Sequence, residues 1–148
     1  MSEILTKWSV LQAHTASAAE LDADGAVLTE VIDRWIDDVC RAYLVQCVLL
    51  EEMRAHDALE LECRHDGIAR GALAGGPTSV VVSATATEVW PDAFAISVRI
   101  RPRDGASEVP LNVTCEVRLH DPTGAPVALG NRVRDELIAL EHAARHYN

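Results

Sequence analysis

Between residues 27 and 43 the apolar side chains return every three or four positions: Val27, Val31, Trp35 and Val39, with Leu28, Ile32 and Ile36 beside them. Glu30, Asp33, Arg34, Asp37, Asp38 and Arg41 fill most of the opposite face. A stripe of this width predicts an amphipathic helix with one buried side. Continued to Leu50, the pattern predicts a single helix of roughly 35 Å at 1.5 Å per residue, long enough to cross a sheet.

Further along, the period changes to two. Ser79 to Val89 forms one alternating segment; Phe94, Ile96, Val98 and Ile100 alternate with Ser97, Arg99, Arg101 and Arg103; Leu111, Val113, Cys115, Val117 and Leu119 alternate with Asn112, Thr114, Glu116, Arg118 and His120. Alternation of this kind predicts antiparallel strands with one face buried. Trp90-Pro91-Asp92-Ala93 and Asp121-Pro122-Thr123-Gly124 place Pro and Gly where tight turns use them. Trp8 to Thr15 is expected as a first strand, Ala16 to Ala19 as a connector and Ala125 to Leu129 as a fifth strand. Val133, Leu137, Ile138 and Leu140 predict a short final helix. Residues 51–76, punctuated by Gly67, Gly71, Gly75 and Gly76, give no clear period.

Consecutive hairpins leave no room for the crossover helices of a parallel sheet. The expected fold is therefore α+β: a curved antiparallel five-stranded sheet wrapped around one long central helix, in a single domain over residues 1–148. At this length one core can be buried. An NTF2-like cone with more N-terminal helices is the alternative fold, used as a small-molecule pocket protein. A lone sheet around a helix leaves an edge open, so a homodimer or homotetramer is expected.

Composition narrows the function. The chain is 49% hydrophobic and 24% charged, which excludes a disordered segment, and its net charge of −10 argues against a nucleic-acid partner. A local basic patch still suits a small anion. Arg99, Arg101 and Arg103 share one strand face; Arg101 and Arg103, nearest the strand end, are candidates for ligand phosphates, and Arg99 for a solvated pair with Glu116. No basic leader precedes an apolar core at Met1 to Lys7, and no run approaches the ~20 apolar residues of a membrane helix, so a cytoplasmic protein without membrane contact is expected. Cys40, Cys47, Cys63 and Cys115 form no C-x-x-C pair, and the six histidines share no ligand spacing. Neither a metal nor a bound cofactor is expected, and Cys40 and Cys47 read as small buried hydrophobes. There is no G-x-S-x-G elbow, dinucleotide fingerprint or P-loop. Trp35 belongs to the core, whereas Trp90 at a turn suits a pocket or an interface.

The chemistry concentrates at Glu20-Leu21-Asp22-Ala23-Asp24-Gly25-Ala26-Val27, just ahead of the helix. A glycine lets the backbone turn tightly, and the unpaired N–H groups of the first helical turn can serve as an oxyanion site for a nearby carboxylate's reaction. The bland alternative is that Asp22 merely opposes the helix dipole, with Asp24 as a cap and Glu20 as a solvated neighbour.

This corner, and the order of elements around it, resembles the 4-hydroxybenzoyl-CoA thioesterase-like branch of the hot-dog superfamily, whose motif reads D-x-x-G before the central helix. Asp22-Ala23-Asp24-Gly25 matches it. Arg34-Trp35-Ile36-Asp37-Asp38 and Arg41-Ala42-Tyr43-Leu44 look like the family's R-W-[FL]-[ED]-[DE] and R-x-Y-[LF] text. The resemblance implies an acyl-CoA (acyl thioester) hydrolase, with coenzyme A entering only as part of the substrate. It assigns Asp22 as nucleophile or general base, Gly25 to the turn, and a backbone N–H near Thr29 to the carbonyl oxygen. It also implies an active site between subunits. Many relatives continue with His-Val-Asn-Asn where this chain has Ala26-Val27-Leu28-Thr29, so three polar side chains are missing; a non-catalytic protein binding an acyl or aromatic ligand is the rival reading. A second subgroup reads H-G-G with an acid seven residues on; in that register Asp24-Gly25-Ala26 stands for the triplet and Asp33 becomes the fallback acid.

Overall fold

The sheet forms where the period-two segments lie. In the computed structural model, which describes residues 10–65, 79–103, 111–140 and 145–147, β3 (Ser79–Val89), β4 (Ala93–Pro102) and β5 (Leu111–His120) make a continuous antiparallel meander. The Trp90–Ala93 and Asp121–Gly124 turns connect as expected: Trp90 N–H donates to Ala93 O at 2.8 Å and Gly124 N–H to Asp121 O at 2.9 Å. β1 (Val10–Thr15) pairs antiparallel with β3, and β2 (Glu60–His65) with β5, giving the order β1-β3-β4-β5-β2. The expected start of β1 at Trp8 lies outside the described residues. Two short strands extend this path: β6 (Pro126–Val127) beside β5, and β7 (Arg145–His146) parallel to β3. The expected fifth strand over 125–129 is thus only two residues long, because Leu129 turns into the core and Gly130, at φ +77°, leads into the next helix.

β2 has no counterpart in the sequence reading. Its text, Glu60-Leu61-Glu62-Cys63-Arg64-His65, is half charged because it is an edge strand, where charges blunt further pairing.

The long helix is shorter than its pattern. α1 runs Thr29–Val45, about 25 Å at 1.5 Å per residue. At Cys47, whose φ and ψ of −88° and 77° are not helical, the chain bends into α2, Val48–Asp57. At the bend and just past it, Cys47 and Leu50 are fully buried. α2 ends at Ala58, a left-handed residue at φ +54°. Its first turn is completed from far away: Leu49 N–H donates to the Glu136 carboxylate at 3.1 and 3.3 Å, and Glu136 lies on α3, Asn131–Leu140.

α1 lays Val31, Ile32, Trp35, Ile36, Val39, Cys40, Tyr43 and Leu44 on the sheet, where they join one core with Val80, Val82, Phe94, Ile96, Val98, Cys115, Val117, Leu119 and Leu137. Trp35 is in this core, stacked on His14 with centroids 5.3 Å apart. Trp90 stacks instead on Tyr147, centroids 5.6 Å apart, and so fastens the last described residues to the β3–β4 turn. Between β1 and β2 the chain forms one short 3-10 turn, Ala18–Glu20, and the helices α1 and α2, a wrapped-helix layout and not an NTF2-like cone. Among the described residues no helix is long and apolar enough to cross a membrane.

Candidate active site

The residues between β1 and α1 fold back on themselves. Leu21 bridges Val27, Asp22 N–H donates to Ala26 O at 2.8 Å, and Leu28 N–H donates to Glu20 O at 2.9 Å. Gly25, at φ +83°, closes the tip with its N–H on Asp22 O at 3.1 Å. A residue with a Cβ is strained at this φ, which explains the glycine. The base is clamped by Glu20, whose carboxylate accepts from Ser17 N–H at 3.0 Å and pairs with Arg34 of α1 at 3.0 Å. Ser17 first, and Arg34 after it, hold the Glu20 carboxyl below its ordinary range. Glu20, expected as a bystander, is the residue that ties this loop to the helix.

Asp22 is half-buried. Its Oδ1 accepts N–H bonds from Asp24 at 2.8 Å and Ala26 at 3.0 Å. Among the described residues no hydrogen bond is directed at Oδ2. The carboxylate thus braces its own turn with one oxygen only. Asp24 is exposed and, through its N–H, part of the same turn; it does not cap the helix.

Thr29 is the first residue of α1, after Leu28 at the cap position. Leucine has no side-chain acceptor, and among the described residues no side chain caps this end of the helix. The first N–H groups of a helix have no partner within it, so the start of α1 presents donors without the side-chain cap that serine, threonine or aspartate normally supplies. Ala26 and Val27 are buried beneath the loop. Asp22, Gly25 and Thr29 are therefore brought to one corner.

The other expected site residues are elsewhere. Asp33 lies one turn further along α1 with its Oδ1 buried and 4.0 Å from His65 Nε2 on β2, so it faces the strand, not the loop. Arg101 is exposed at the end of β4 and alternates with buried Ile100 and Pro102, which places it on the sheet face away from α1. Arg103 follows the strand, its N–H bonded to Ser79 O at 3.0 Å. Both share an end of the sheet with the Asp22 loop, since Thr15 pairs Ser79 and Val80 pairs Pro102, but Arg101 points from the opposite face. Arg99 does not meet Glu116: register sets it opposite Asn112, and Glu116 pairs with Arg118 at 2.6 Å.

One grouping had no signal in the spacing. Cys40 of α1, Cys63 of β2 and Cys115 of β5 converge until their sulfurs lie within 4.8 Å of one another. S–H donation from Cys115 and Cys40 draws the Cys63 thiol below its ordinary value, while Cys40, bonded to the other two and buried, is pushed up. Cys47 is buried apart from them, as a small hydrophobe.

No protein-family model matches this chain, and no curated protein does. Solved structures match over most of its length. A 1,4-dihydroxy-2-naphthoyl-CoA thioesterase from Synechocystis is 15% identical, with 89% of this chain and 97% of that one covered and a TM-score of 0.64. A mutant 4-hydroxybenzoyl-CoA thioesterase in complex with 4-hydroxybenzoyl-CoA is 12% identical, covering 86% and 97%, with a TM-score of 0.63. A 12:0-ACP thioesterase from Umbellularia californica reaches a TM-score of 0.69 at 14% identity, with 88% of this chain lying on 53% of that longer one.

Proposed function

Having the hot-dog fold shared by these acyl thioesterases, the chain poses the question of its own chemistry, and we propose that it hydrolyses an acyl-CoA or related acyl thioester. Asp22 acts as nucleophile or general base, and the first amides of α1, around Thr29, receive the carbonyl oxygen. One observation carries the reading: a half-buried carboxylate with Oδ2 unengaged shares a braced loop with a helix start that no side chain caps.

The chemistry asks little more. In the base route, Oδ2 takes a proton from water as its oxygen adds to the thioester carbon. The oxyanion is held by helix N–H groups, and collapse expels the thiolate, which recovers the proton and leaves a carboxylic acid that ionises. A thiolate is a good leaving group, so positioning and charge stabilisation supply most of the acceleration. Arg101, on the far face of the sheet, can reach coenzyme A phosphates only where the ligand belongs to another protomer's site. A homodimer or homotetramer is thus part of the proposal, and it accords with the sheet edge at β1, where Leu11 is 60% exposed. Light scattering checks it.

The rival, a protein that binds an acyl or aromatic ligand without turnover, is favoured by Ala26 and Leu28, which put apolar side chains where catalytic relatives carry polar ones. A panel of aromatic and aliphatic acyl-CoAs separates the two. Wild type is expected to release free thiol, and Asp22→Asn to bind with the rate reduced about 10²- to 10⁴-fold, as for loss of a general base. Binding without turnover in wild type overturns the hydrolase reading and supports the rival; full activity in Asp22→Asn overturns the role given to Asp22.

A further inference from the structure

Cys40, Cys63 and Cys115 come from three elements and from distant parts of the chain, yet their sulfurs are mutually within 4.8 Å. Register explains two of them. Cys63 pairs Val117 and His65 pairs Cys115, so Cys63 and Cys115 are diagonal neighbours across β2 and β5. Cys40 reaches them from α1. Cys40 and Cys115 are buried, 2% and 0% exposed, but Cys63 is only half-buried, and with Cys40 it lines a cleft of about 370 Å³ that does not include Asp22. None of the three is in a disulfide.

We propose that these thiols form a binding site for one thiophilic divalent d¹⁰ ion, zinc or cadmium, with an open position facing the cleft. Thiolate sulfur binds zinc at about 2.3 Å in a tetrahedral site, so three sulfurs around one ion stand about 3.8 Å apart, inside the 4.8 Å within which all three lie. A monovalent ion would leave two net negative charges among three thiolates, whereas a divalent ion leaves one. Arg41 and Arg54 line the same cleft; Arg54 pairs with Glu51 through Nη1 at 2.9 Å, and its Nε, buried without a hydrogen-bond partner among the described residues, is left to face that remaining charge. The fourth position, on the cleft that Cys40 and Cys63 line, falls to water. The ion would fasten edge strand β2 to α1, independently of hydrolysis at Asp22.

The test is a titration of the full chain, reduced with a phosphine, by cadmium. Wild type is expected to show thiolate-to-cadmium charge-transfer absorption saturating at one equivalent and a rise in thermal midpoint with bound metal. Cys63→Ser, on the half-exposed strand, should weaken binding about 100-fold or more, at least as much as loss of an outer-shell partner, and abolish the thermal rise. Cys47→Ser should retain both. Circular dichroism confirms that each variant is folded, and Cys115→Ser repeats the measurement should Cys63→Ser fail that check. Absence of the band in wild type, its persistence in folded Cys63→Ser, or equal loss in Cys47→Ser would overturn the site.

Discussion

Two turns in this molecule are nearly superimposable in their hydrogen bonds, and only one sits at the candidate active site. In Asp22–Ala26 the first residue's N–H reaches Ala26 O at 2.8 Å, Gly25 N–H returns to Asp22 O at 3.1 Å, and Oδ1 takes N–H bonds at 2.8 and 3.0 Å. In Asp121–Ala125 the matching distances are 2.9, 2.9, 2.9 and 3.0 Å. The glycines have φ +83° and +88°. The text D-x-x-G-A is therefore a turn motif first: aspartate braces the loop and glycine supplies the left-handed residue. What differs is surroundings. The Asp121 turn joins β5 to β6 in solvent, and its carboxylate is further occupied by the Thr123 hydroxyl at 2.6 Å. The Asp22 turn lies on buried Ala26 and Val27 and is followed within three residues by an uncapped helix. Chemistry, if it belongs to either, belongs to the placement.

Paired substitutions break or sharpen this comparison. Asparagine keeps the Oδ1 acceptor and the turn while removing the charge. Asp22→Asn should cost about 10² to 10⁴ in hydrolysis rate, and Asp121→Asn should leave the rate unchanged in the same assay; equal losses would mean that the turns matter only as structure. Next in size is the glycine pair. Neither added Cβ meets an atom within 4 Å, so Gly25→Ala and Gly124→Ala should each lose about 1–2 kcal/mol through the left-handed φ alone, as read from denaturation midpoints. Unequal losses would show that one loop is held more tightly than its bonds suggest. The smallest effect is on the acid limb of the stability profile. Thr123, then Ala125, hold the Asp121 carboxyl below its ordinary 3.8. A lowered folded value gives stability present above the unfolded value and lost as pH falls through the folded one. Asp121→Asn should flatten the stability profile below about pH 4, measured by denaturation at stepped pH, with its deficit against wild type largest near neutrality and vanishing in acid.

The strands from Ser79 to His120 and the corner at Asp22 were legible because each is written in neighbouring residues: alternation fixes a face, and D-x-x-G fixes a turn. What failed depended on distant parts. The stripe through Leu50 continues across the bend at Cys47, since a 3.6-residue period does not report where a helix runs out of sheet to cover. β2 does alternate, with Leu61 and Cys63 between Glu60, Glu62 and Arg64, but over too few residues to stand out in a stretch dense in charge. The separation of Arg99 from Glu116 follows from strand register, which spacing along one strand cannot give. The three converging thiols stand 23 and 52 residues apart along the chain (63 minus 40; 115 minus 63) and share no motif.

The carboxylate of Glu136 on the Leu49 amide spans 87 positions of sequence. During synthesis, α2 leaves the ribosome long before the group that finishes its first turn has been made. The amide of Leu49 therefore lacks this acceptor in any nascent chain shorter than about residue 136 and gains it once α3 docks, so its hydrogen-exchange rate is a clock for that docking. Glu136→Ala should stop that clock while leaving the β3–β5 meander intact.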